Sequence, residues 1–78
     1  MSYPVTDYHR TLINEYTDGI NSALAAQAAR GLQATIDAVY TIVKRTAHTD
    51  YLNPELKACG LRARTVFRAL TGELPYWV

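Results

Sequence analysis

A single cysteine, three prolines and four glycines are spread over 78 residues, and each scarcity removes a class of architecture. With Cys59 alone, no internal disulfide can staple the chain, so a small cross-linked secreted scaffold is excluded and a reducing, cytoplasmic setting is expected. No segment approaches the roughly 18 consecutive apolar residues of a membrane-spanning helix, and no basic start followed by an apolar run resembles a secretory leader. Glycine-rich phosphate loops, paired histidine ligands and zinc-type cysteine spacing are missing as well. So are the alternating apolar and polar runs that mark β-strands. The expectation is one domain over residues 1–78, without cofactor or metal and without association with a membrane.

Catalysis is not expected either. A nucleophile needs a base within hydrogen-bond reach and a group that orients the base. The candidates Cys59, His9 and His48 stand isolated in the sequence, with no glycine-rich elbow, paired His ligands or carboxylate dyad nearby. Cys59 falls on an apolar stripe, where a thiol acts as a small core residue.

The positive signal is helical. Three stretches, at about 7–30, 32–48 and 54–71, carry apolar residues at helical spacing, and an aromatic tail covers 73–78. In the first, Tyr8, Leu12, Tyr16, Ile20 and Leu24 recur every four residues, widened by Ile13 and Ala23. Ala25, Ala26, Ala28 and Ala29 follow, good helix formers small enough for a second helix to approach. Near Arg30-Gly31 the phase shifts: Leu32, Ile36, Val39 and Val43 lie roughly 160° around a straight helix from the first stripe. Two readings compete. Either Gly31 ends the helix in a left-handed conformation and the chain folds back, or one long helix buries different faces along its length. Gly19 is expected to mark a close approach by a neighbour.

The clearest boundary is Asn53-Pro54-Glu55. Asn53 can cap, Pro54 suits the first helical position, and Glu55 faces the positive end of the helix dipole. Gly72 then ends the third helix and Pro75 prevents its resumption. The fold expected is therefore all-α, a helical hairpin or three-helix domain. A domain of this length buries only about 60% of its unfolded surface and holds at most about 3 to 5 kcal/mol alone, so completion by oligomerisation, as a homodimer through the alanine-rich stretch, is expected.

Within the last helix, Leu56, Cys59, Ala63, Val66, Phe67 and Leu70 form an apolar stripe, while Lys57, Arg64 and Arg68 share another side. Leu61 fits neither. In a continuous helix it lies exposed amid the cations; if Gly60 turns the chain, it points into a core. The run Ala58-Cys59-Gly60-Leu61-Arg62-Ala63-Arg64-Thr65-Val66-Phe67-Arg68-Ala69-Leu70 resembles the turn and recognition helix of helix-turn-helix DNA-binding proteins. That resemblance implies Arg62, Arg64 and Arg68 facing phosphates or guanine edges. Against the pattern, only Pro54 to Cys59 precede the turn, and Arg62 stands where a capping Ser or Thr is usual.

Net charge is +1, too small for a general polyanion binder, but it is unevenly placed. Asp7, Glu15, Asp18 and Asp37 outweigh Arg10 and Arg30 in the first half, whereas Lys44, Arg45, Lys57, Arg62, Arg64 and Arg68 outweigh Asp50, Glu55 and Glu73 in the second. Six tyrosines join Trp77 and Phe67, and a tail ending Pro75-Tyr76-Trp77-Val78 is expected to fold over the helices or to pack on another subunit. Arg, Tyr and Trp dominate protein contact sites. The function expected is a non-enzymatic protein-binding regulator or inhibitor that blocks a partner's surface through Lys57, Arg62, Arg64, Arg68, Tyr76 and Trp77. A phage or mobile-element origin, with a host defence or nucleic-acid-handling complex as target, belongs to the same expectation. The alternative is a helix-turn-helix transcriptional regulator using residues 54–71.

Overall fold

The computed structural model describes residues 7–47, 53–75 and 77. Four helices occupy them, α1 (Asp7–Ala25), α2 (Gln27–Arg30), α3 (Leu32–Thr46) and α4 (Pro54–Thr71), with no strand among the described residues. Among the described residues no helix is long and apolar enough to cross a membrane. The expected first helix is thus loosened at Ala26 (φ −88°, ψ 0°), and its last turn becomes the separate α2. His48 and Asp50 lie outside the described residues.

Of the two readings at Gly31, the break is the one adopted. Gly31 has φ 94° and ψ 161°, a combination essentially confined to glycine. Its N–H donates to the Gln27 carbonyl at 2.8 Å, closing α2, and the chain reverses into α3. The contacts that follow set helix direction. Along α1, Glu15 meets Arg45, Gly19 meets Ile42, and the Ala23 carbonyl meets the Thr35 hydroxyl, so α3 runs antiparallel to α1. Thr17 meets Cys59 and Asn21 meets Arg62, so α4 runs parallel to α1. The result is an up-down-up bundle of three helices with α2 at its first corner.

Tyr16 and Ile20 from α1, Val39, Ile42 and Val43 from α3, and Leu56, Ala63 and Phe67 from α4 form the core. Ile20, Val39, Val43 and Ala63 are wholly buried. Burial raises the pKa of the Tyr16 phenol above its ordinary value, against the attraction of Arg45 for its anion. Gly19 serves the expected close approach, since a Cβ there would stand 3.1 Å from Ile42 Cδ1.

The stripe on α1 is less buried at its ends than the spacing predicts. Tyr8 is 69% exposed and Leu24 37%. A row at every fourth residue advances about 40° around the helix per step, so its ends leave a core centred on Tyr16 and Ile20. Leu32, the first residue of α3, is 47% exposed.

The caps of α4 are those expected. Asn53, extended at φ −136° and ψ 117°, accepts through Oδ1 from the amides of Glu55 (2.9 Å) and Leu56 (3.3 Å), and Pro54 opens the helix. Gly72 closes it in the left-handed region at φ 90°, its N–H donating to Arg68 O.

Two substitutions test this frame by chemical denaturation. Asn53→Ala, which strands two amides at a buried cap, lowers unfolding free energy by about 1 to 2 kcal/mol. Gly31→Ala costs about 1 to 3 kcal/mol because the reversal needs a conformation that a Cβ resists. An unchanged midpoint in either variant contradicts the role given to that residue.

Candidate functional site

α4 carries one face into the core and another into solvent. Gly60, Ala63 and Phe67 point inward. The outward side holds Lys57, Leu61 and Arg68, all exposed, with Arg64 half-buried on the flank; their spacing of four, three and four residues makes one continuous row. The helix passes unbroken through Gly60-Leu61, and among the described residues only Gly31 and Gly72 have positive φ. The turn required by the helix-turn-helix resemblance is therefore not formed there. Leu61, 48% exposed, sits on the surface amid cations.

Of the residues expected to bind a partner, the structure brings Lys57, Arg64 and Arg68 together and sets Arg62 apart. Arg62 lies on the opposite flank, where its Nη2 donates to Asn21 Oδ1 of α1. Tyr76 lies outside the described residues. Trp77, which follows the left-handed Gly72, is half-buried against the core. There its ring meets Tyr40 edge-on, at 84° with centroids 5.8 Å apart, and Tyr40 in turn contacts Phe67 at 5.8 Å and 47°. Tail docking of this kind follows from the need to cover a tryptophan.

Beneath the tail lies an open recess of about 290 Å³, lined by these three rings together with Thr71, Glu73 and Leu74. The spacing of apolar residues did not reveal it. Tyr40, Thr71 and Glu73 come together only when the tail folds, and the one sequence signal was an aromatic tail facing two further aromatics.

Cys59 is half-buried, its Sγ 3.8 Å from Thr17 Oγ1. His9 stacks at a tilt beside Tyr8, with ring centroids 6.0 Å apart. Among the described residues no three His, Cys, Asp or Glu side chains are grouped so as to hold a metal ion. The arrangement offers contact surfaces of opposed character: a cationic helix face with an apolar centre, and an aromatic recess whose described lining includes the acidic Glu73.

No protein-family model matches the chain, and neither a curated protein nor a solved structure matches it.

Replacing Leu61 by Lys should leave thermal stability within about 0.5 kcal/mol of wild type, as for an exposed position. A large fall in melting temperature would mean that Leu61 is a core residue and that the helix turns at Gly60 after all.

Proposed function

We propose that this chain is a non-catalytic helical binding module, a small regulator or inhibitor that acts by covering the surface of a partner protein. The observation that carries this reading is the exposed Leu61 set between Lys57 and Arg68 on an unbroken helix. An apolar centre rimmed by cations has the anatomy of a contact patch: the centre loses water on docking, and the rim selects an acidic partner and speeds encounter. A host defence or nucleic-acid-handling complex with an acidic surface is the kind of target that suits it. The setting in this reading is a reducing cytoplasm, where the lone thiol stays free.

Self-association belongs to the same reading. Leu24 and Leu32 are exposed near Ala25, Ala28 and Ala29, also exposed, which leaves the first corner of the bundle more apolar than solvent favours. A two-fold dimer through that corner would leave α4 available to a partner.

The test is affinity capture with wild-type protein beside two variants, Leu61→Asp and the double charge reversal Lys57→Glu with Arg68→Glu, each checked for retained helicity. A specific partner should be lost from both variants, with affinity reduced at least about tenfold, in line with disrupted contact residues. Equal capture by wild type and variants would remove α4 as the contact face. Binding of a DNA duplex that weakens steeply as salt rises would replace the protein partner with nucleic acid.

A further inference from the structure

The recess beneath the tail is distinct from the outer face of α4 and has a chemistry of its own. Three aromatic side chains, Tyr40, Phe67 and Trp77, line it, and their planes differ by 47° and 84°, so ring surfaces meet it from more than one direction. The face of an aromatic ring carries the negative part of its quadrupole and attracts cations. Among the described lining residues the only charged one is Glu73, which forms no ion pair among the described residues. None of the described Lys or Arg residues lines the recess.

The local backbone adds to the same field. The recess lies at the C-terminal end of α4, the negative end of the helix dipole. Glu73 is held there by a compact turn: Thr71 Oγ1 lies 2.7 Å from the Glu73 carbonyl oxygen and 3.4 Å from its amide nitrogen, one residue to either side of the left-handed Gly72. Aromatic rings, an acidic residue and a helix C-terminus in the lining all favour positive charge.

We propose that this recess binds a cationic side chain, arginine or lysine, presented by a basic peptide segment of a partner. The aliphatic stem packs on Leu74 and Pro75 while the charged head rests over the rings and beside Glu73. An arginine guanidinium, planar and weakly hydrated, suits stacked recognition better than a lysine ammonium. The site is separate from the α4 contact face and does not depend on it.

Trp77 is the only tryptophan of the chain and reports directly on the recess. Its fluorescence, and the shift of its indole N–H in nitrogen-15 NMR spectra, can be followed during titration at low salt with four acetylated, amidated tripeptides: Gly-Arg-Gly, Gly-Lys-Gly, Gly-Leu-Gly and Gly-Glu-Gly. The arginine and lysine peptides should give saturating changes, arginine the tighter, and the glutamate peptide none. Glu73→Gln, at an exposed position, should weaken the arginine peptide about fivefold. Leu61→Lys should leave the titration unaltered, which separates this site from the α4 face. A leucine peptide that binds as tightly as arginine, no saturation with any peptide, or equal affinity in Glu73→Gln would each overturn the proposal.

Discussion

The bundle depends on one backbone reversal. At Gly31 the chain takes a conformation that a side chain would resist (φ 94°, ψ 161°), and without it the two apolar stripes on either side would look in opposite directions along a single rod. Reversal places them face to face. Thr35 secures the corner from the other side: wholly buried, it sets its hydroxyl 3.2 Å from the Ala23 carbonyl and 3.3 Å from that of Gly31. The Gly31 carbonyl is a local acceptor, whereas the Ala23 carbonyl comes within reach only when α3 lies back along α1, so this second acceptor accompanies the reversal that the glycine permits. The second reversal, capped by Asn53, then brings α4 alongside both.

α4 is the element on which the functional readings converge. Its inward row closes the core, its outward row carries the cations around Leu61, and its C-terminal end forms one wall of the aromatic recess. Gly60 and Leu61 explain each other in this arrangement. A residue without a side chain is buried on the inner side, and the next position, about 100° further round the helix, emerges beside Lys57 and Arg68. Arg62, another step on, turns to Asn21 instead. One helix thus distributes three adjacent residues among core, contact face and inter-helix contact, which is why adjacency in sequence was a poor guide to the membership of the basic patch.

The legible parts of the sequence were those governed by local chemistry. Asn53-Pro54 and Gly72 specify helix ends through hydrogen bonds only a few residues long, and both ends lie where that chemistry puts them. The phase shift near Gly31 was visible, but a bent pair and a straight rod share the same periodicity until a tertiary partner chooses. The exposure of Tyr8 and Leu24 was hidden for a related reason: a four-residue repeat names a stripe without saying how much of it a neighbour covers. The recess was the least legible feature. Tyr40 and Trp77 are far apart in the chain, and the edge-on contact between them has no signature in local spacing.

The half-buried Cys59 lies on α4 against Thr17 of α1, at the one helix pair in the bundle that runs in parallel. Helices so aligned bring like dipole ends together, and α1 and α4 are joined through α3 and not by a direct connection. If this pair opened ahead of the rest of the bundle, the thiol would be uncovered before the chain unfolds as a whole. The rate at which a small alkylating reagent reaches that sulfur would report such an opening, in a chain with no second thiol to confuse the reading.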